Sequence, residues 1–165
     1  MQKEVRVGVL TISDKGSRGL REDGSGEIIL RMLEDFGLTV VKREIIPDDQ
    51  QQIADTLIMW VDKDDLALII TSGGTGLSPT DVTPQAMEQV LDYQVPGMAE
   101  AMRAASLKKT PHAMISRAMV GVRNSSLIIN LPGSPRGAEE NLSVVLPALD
   151  HGLSKLAGDT TDCAA

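Results

Sequence analysis

Aromatic side chains are nearly absent from this chain of 165 residues, which holds one Trp, one Tyr and one Phe. No stacking platform for bases can be assembled from three rings, and a net charge of −7 leaves no basic face for a nucleic-acid backbone. Cysteine is just as scarce. Cys163 stands alone, so no intrachain disulfide can form, which fits a reducing compartment. With only His112 and His151 besides, a zinc site is excluded. No hydrophobic run is long enough for a membrane span, and the apolar stretch Val5 to Ile12 is broken by Arg6 and Gly8 and lacks the small-residue pattern of a cleaved signal. The expectation is a cytoplasmic protein with one domain over residues 1–158 and a frayed tail over 159–165.

What is present is alternation. Val5 to Ser13, Leu66 to Thr71 and Ser126 to Leu131 are near-continuous aliphatic runs, the pattern of parallel strands covered on both faces. Thr39 to Ile46 is a fourth strand, nearer an edge because it carries Lys42, Arg43 and Glu44. Between them lie helical stripes: Ile28, Ile29, Met32, Leu33 and Phe36; Ile53, Leu57, Ile58 and Val61; Met87, Val90 and Leu91. Two more helices are expected from Gly97 to Leu107 and from Arg136 to about Leu146. The fold class is α/β with a mostly parallel sheet, and Ala118 to Arg123 is a candidate short strand that would make the sheet mixed. Met98, Met102, Met114 and Met119 read as core filling, with a subunit interface as the alternative.

The loops that follow the strands carry the chemistry. TSGGTGLSPTDVTP, Thr71 to Pro84, follows the third strand with three glycines in four positions and then a carboxylate, Asp81. Amide donors for an anion beside an acid for a cation point to a phosphorylated ligand with Mg²⁺. DGSG, Asp23 to Gly26, opens a helix after the first strand; Pro47-Asp48-Asp49 follows the second; LPGSPRG, Leu131 to Gly137, follows the fourth. In a parallel sheet all four emerge at the carboxyl edge, where open α/β sheets bind ligands. Thr83 before Pro84 reads as a helix N-cap, which leaves Asp81 free. Either Asp48 with Gln51 or Asp49 with Gln52 makes a capping box, and the pattern does not choose between them. Ser134 and Pro135 repeat the cap-and-proline signature, and Arg136 then sits in a first turn that disfavours cations unless an anion is bound there. His112, with Lys108 and Lys109, is either a solvated loop or a face for an anionic substrate. There is no GxxxxGK[ST], no GxGxxG after a strand and no GxSxG, which sets aside P-loop, Rossmann and serine-hydrolase chemistry.

Taken together, VGVLTISDKGSRG with DGSG, the PDD turn, TSGGTGLSPTDVTP, SLKKTPHAMISR and INLPGSPRG resemble the MogA/MoaB family of molybdenum-cofactor biosynthesis, most closely its MogA-type adenylyltransferases. The resemblance runs from about Val5 to Leu156. It implies a three-layer α/β domain, usually a trimer, that uses Mg-ATP to adenylylate the terminal phosphate of molybdopterin and releases pyrophosphate, in transient contact with other cofactor-biosynthesis proteins. A non-catalytic pterin carrier is the alternative within the family. By resemblance, Asp48 and Asp81 match the family's two essential acids, which would hold Mg²⁺ and leave Asp49 as the cap. Asp23, Gly24, Ser25 and Gly26, with Ser72, Gly73, Gly74, Thr75 and Gly76 and with Pro132, Gly133 and Ser134, match nucleotide- and phosphate-binding loops. Ser13, Ser106, Lys108, Ser116 and Arg117 fall where the family meets the pterin.

Overall fold

In the computed structural model, which describes residues 4–163, six strands form one sheet in the order β2-β1-β3-β6-β5-β4. They are β1 (Arg6–Ile12), β2 (Thr39–Ile46), β3 (Leu68–Ser72), β4 (Tyr93–Gln94), β5 (Val120–Arg123) and β6 (Ser126–Leu131). β2, β1, β3 and β6 are mutually parallel, and β5 and β4 add antiparallel to β6, so the sheet is mixed as Ala118 to Arg123 led one to expect. The two-residue β4 was not foreseen, because a pair of exposed residues carries no periodicity.

Helices cover both faces, and strand alternation decides which side chain goes where. Val7, Val9, Leu68, Ile70, Leu127 and Ile129 face α2 (Gly24–Asp35), α5 (Pro96–Leu107) and α6 (Pro135–Leu156). Leu10, Ile12, Ile69 and Ile128 face α3 (Gln50–Asp62) and α4 (Thr83–Val90). The result is a three-layer sandwich with one core on each side of the sheet. Trp60 on α3 is wholly buried in the second core, and a Cβ on Gly8 would stand 2.7 Å from its ring, so β1 needs glycine there. The Trp60 indole nitrogen has no hydrogen-bond partner among the described residues, and Lys42 Nζ lies 5.4 Å from the ring centroid.

Several local expectations need correction. Helix α6 does not stop near Leu146: it runs through Pro147 to Leu156 because Leu149 and Leu153 continue the buried stripe of Ala138, Leu142 and Val145. Thr83 is not the cap of α4. Val82 occupies that place without a side-chain bond, while the buried Thr83 hydroxyl donates to Gly73 O at 3.0 Å. A single turn, α1 (Asp14–Ser17), interrupts the first loop, and a 3-10 turn over Pro111–Ile115 follows α5. Met102 is core and Met98 and Met119 pack against the cores, but Met114 is 70 % exposed. Of the expected tail, Asp159 to Cys163 is irregular, and Ala164 and Ala165 lie outside the described residues. No helix among the described residues is long and apolar enough to cross a membrane.

Candidate active site

The carboxyl ends of β1, β2, β3 and β6 lie along one edge, and the chain order reverses between β1 and β3, the place where an open α/β sheet makes its crevice. The loop after β3 fills that crevice. Gly73 and Gly74 hold φ of +102° and +68°, and a Cβ on Gly73 would stand 2.2 Å from Ile12 O at the end of β1. Only glycine tolerates both constraints. The four carbonyls from Gly73 to Gly76 are tied down: Gly73 O accepts from Thr83 Oγ1, Gly74 O from Thr83 N, Thr75 O from Arg117 N and Gly76 O from Arg117 Nε. The N–H groups of Gly74, Thr75 and Gly76 have no partner among the described residues. A turn whose acceptors are all spent and whose donors are free is built to receive an anion.

Two carboxylates flank this turn. Asp49 caps α3, its side chain accepting from Gln52 N at 2.8 Å, which leaves Asp48 uncommitted to the cap. Asp48 Oδ1 lies 3.4 Å from where a Cβ on Gly74 would be, and Asp81 Oδ2 lies 2.8 Å from the same position on Gly76. Asp81 Oδ2 also accepts from Ser78 N at 3.0 Å. Asp14 joins them: its N–H donates to Asp48 Oδ2 at 3.0 Å, and its Oδ1 accepts from Asp48 N at 2.9 Å. Burial raises the Asp48 carboxyl above its ordinary range, the backbone bond from Asp14 pulls it down, and the charges of Asp14 and Asp81 push it further up. A carboxylate that is costly to ionise welcomes a cation. The donors are hard oxygens, and among the described residues no group of three or more His, Cys, Asp or Glu could hold an ion alone. That fits Mg²⁺, which takes one or two carboxylates and completes its shell with substrate phosphates and water.

Beside the turn opens a cavity of about 300 Å³. Thr75 and Gly76 form one wall, Ser106 and Ser116 another, and Pro132 and Ser134 a third, so loops read separately in the sequence meet around one space. The loops also touch: a Cβ on Gly133 would stand 3.2 Å from Gly73 Cα, and one on Gly24 2.9 Å from Pro135 Cγ.

The family model described as "Probable molybdopterin binding domain" matches residues 8–151. The chain belongs to this molybdopterin-binding family. The matched span includes all four loops of the carboxyl edge. A molybdopterin adenylyltransferase of Helicobacter pylori is 40% identical over 157 residues, covering 94% of this chain and 89% of its own. That of Escherichia coli K12 is 38% identical over 146 residues, covering 87% and 75%. The crystal structure of a molybdopterin biosynthesis enzyme MoaB from Thermus thermophilus superposes with a TM-score of 0.89 at 49% identity, covering 94% of this chain and 98% of that one.

Within this molybdopterin-binding fold, several side chains singled out in the sequence make hydrogen bonds within the protein. Asp23 caps α2 through Gly26 N, accepts from Thr11 Oγ1 and pairs with Arg43 at 2.8 Å, with its side chain only 6% exposed. Ser25 and Ser72 hydroxyls bond each other at 3.0 Å in the interior and tie the DGSG turn to β3. Ser13 caps α1 by accepting from Gly16 N. Arg117 spends its guanidinium on Gly76 O, Asp81 O and Gln85 Oε1, so it braces the loop that carries Asp81. Lys108 is exposed and does not line the cavity, whereas Arg103, His112 and Asn141 do. Arg136, 82% exposed, pairs with Glu140 at 2.9 Å, which relieves the cation in the first turn of α6. Asn141, Arg103 and Asp14 were missed. Asn141 could have been noticed as the polar member of the apolar stripe between Ala138 and Leu142; it is buried and donates to Gly137 O and Ser106 Oγ. Arg103, on α5, reaches Ser116 O and Ala118 O, and no spacing in the sequence announces that.

Proposed function

We propose that this chain is a molybdopterin adenylyltransferase that uses ATP to adenylylate the terminal phosphate of molybdopterin and releases pyrophosphate. The observation that carries the reading is the glycine turn of residues 73–76 with its four carbonyls engaged, three amides unpartnered among the described residues and a carboxylate on each flank. The relatives named as adenylyltransferases supply the reaction. A phosphate oxygen of molybdopterin attacks the α-phosphorus of ATP, and the bond from that phosphorus to pyrophosphate breaks. A phosphate monoester is already anionic near neutral pH and needs no strong base. The barrier is to bring two polyanions together, which calls for positioning and fixed charge.

In this reading the amides of Gly74, Thr75 and Gly76 receive ATP phosphates, and the 300 Å³ cavity beside them takes the pterin substrate against Ser106 and Ser116. Asp48 and Asp81 would hold Mg²⁺, which would supply positive charge to offset that of the ATP phosphates and of the departing pyrophosphate. Arg117 keeps the Asp81 loop in register through its bonds to Gly76 O and Asp81 O. The family resemblance further supports a cytoplasmic homotrimer that meets other cofactor-biosynthesis proteins only transiently.

Pyrophosphate release from Mg-ATP, measured with and without molybdopterin and with Asp81→Asn as control, tests the reading. The expected result is pterin-dependent release that falls at least about a hundredfold in the variant, as loss of a charge-stabilising group does. Pterin binding without release would make the chain a carrier on the same loops. No pterin binding at all would overturn the substrate assignment.

A further inference from the structure

Asp14 contributes to no wall of the cavity, yet it is the residue most closely tied to Asp48. Three hydrogen bonds join the turn after β1 to the turn after β2: Ser13 N to Ile46 O at 2.9 Å, Asp14 N to Asp48 Oδ2 at 3.0 Å and Asp48 N to Asp14 Oδ1 at 2.9 Å. They continue the β1–β2 ladder one step past its last pair, Ile12 with Ile46, using side chains where strand backbone has run out. Asp14 is itself fixed. Ser13 Oγ caps the turn of α1 through Gly16 N, and Ser17 Oγ donates to Asp14 O. The consequence for Asp48 is geometric. Its Oδ2 is held by the Asp14 amide, its own backbone is held by the Asp14 carboxylate, and Oδ1 is the oxygen left to face the glycine turn near Gly74.

From this arrangement we infer that Asp14 is the positioning residue of the cation site: its side-chain oxygen, acting as a hydrogen-bond acceptor and not as a charge or a ligand, holds the Pro47–Asp48 turn so that Asp48 Oδ1 meets the cation. The inference rests on the reading of Asp48 as a cation-binding acid. Among the described residues nothing else restrains the Asp48 amide: Asp49 N goes to Pro47 O and the Asp49 side chain to Gln52. Groups that orient a ligand without touching the metal change metal affinity by about ten- to a hundredfold when removed.

The experiment measures the affinity of the full chain for α,β-methylene-ATP by calorimetry, with and without Mn²⁺, in wild type, Asp14→Asn, Asp14→Glu and Asp14→Ala. Asn keeps the acceptor and drops the charge. Glu keeps the charge and moves the acceptor by one methylene. Ala removes both without adding bulk and serves where Glu does not fold. The expected result is Mn²⁺-dependent tightening within about threefold of wild type for Asn, and at least about tenfold weaker for Glu and Ala, with the metal-free affinity unchanged in all three. Retention in Glu with loss in Asn would show that charge is what matters and overturn the inference. So would three variants that all match wild type, or a fall in metal-free affinity as large as the fall with metal. A wild type that Mn²⁺ does not tighten at all would instead bring down the assignment of Asp48 to a cation, and this inference with it.

Discussion

Gly73→Ala should separate two costs that glycine ordinarily hides together. At φ of +102° an alanine is strained wherever it sits, and Gly73 also has Ile12 O only 2.2 Å from the place a Cβ would take. Gly37, at φ of +93°, has nothing within 4 Å of that place and so bears the first cost alone. A left-handed backbone costs an L-residue about 1–2 kcal/mol, which is the expectation for Gly37→Ala. At Gly73 the overlap is with main chain and cannot be relieved by turning a side chain. The residue cannot swing away either, because its N–H donates to Leu131 O and its carbonyl accepts from Thr83. Forcing the ends of β1 and β3 apart adds about 1–3 kcal/mol, for a total of about 2–5 kcal/mol. Urea unfolding followed by far-ultraviolet circular dichroism gives both values on a common scale. The Gly73 variant should also lose nucleotide affinity, which Gly37→Ala, at the far end of α2, should keep. Equal destabilisation by the two substitutions would refute the close approach on which the crevice is built.

Metal-free protein should gain stability from Asp48→Asn at neutral pH. The carboxyl of Asp48 is raised in the folded state above its ordinary 3.8, so the fold holds that proton longer than the unfolded chain and loses stability as pH rises through the interval. The advantage of the variant should therefore vanish as pH falls to about 3.8 and below, and urea midpoints from pH 3.5 to 7 would show it; an advantage independent of pH would sink the argument. Asp23→Ala should cost about 2–4 kcal/mol, since one substitution removes the cap of α2, the acceptor of Thr11 and the partner of Arg43. A change below about 0.5 kcal/mol in the same unfolding assay would mean that these bonds do not hold the turn.

The parallel core of the sheet was readable because strands buried on both faces leave continuous aliphatic runs, as in Leu68 to Ser72 and Ser126 to Leu131. From that it followed that four loops share one edge. Sequence failed where tertiary contacts outbid local chemistry. Thr83 before Pro84 is a sound cap signal, but Gly73 O offers its hydroxyl a buried partner across the loop. The last helix outruns the expected end near Leu146 because Pro147 is exposed and Leu149 and Leu153 beyond it still have a core to enter. The capping pattern alone could not choose between Asp48 and Asp49; the bond from Gln52 N to Asp49 shows which one caps the helix. The resemblance places Arg117 near the pterin, and sequence alone could not show that its guanidinium also reaches Gly76 O, Asp81 O and Gln85 Oε1. Asp14 was silent for a plainer reason, since its partner lies 34 residues away and only strand register brings the two together.

The solitary tryptophan gives one half of this molecule an intrinsic fluorescent reporter. Trp60 belongs to the α3–α4 side of the sheet and is fully enclosed. Its ultraviolet emission should therefore lie at short wavelength in the native state and move to longer wavelength on unfolding, with no label attached. The α2–α5–α6 side contains no tryptophan at all, so fluorescence reads one layer while circular dichroism reads both. Two denaturation curves that coincide would mean the layers melt as a unit across the shared sheet. A fluorescence curve that runs ahead would mean that the layer carrying Asp48 loosens first.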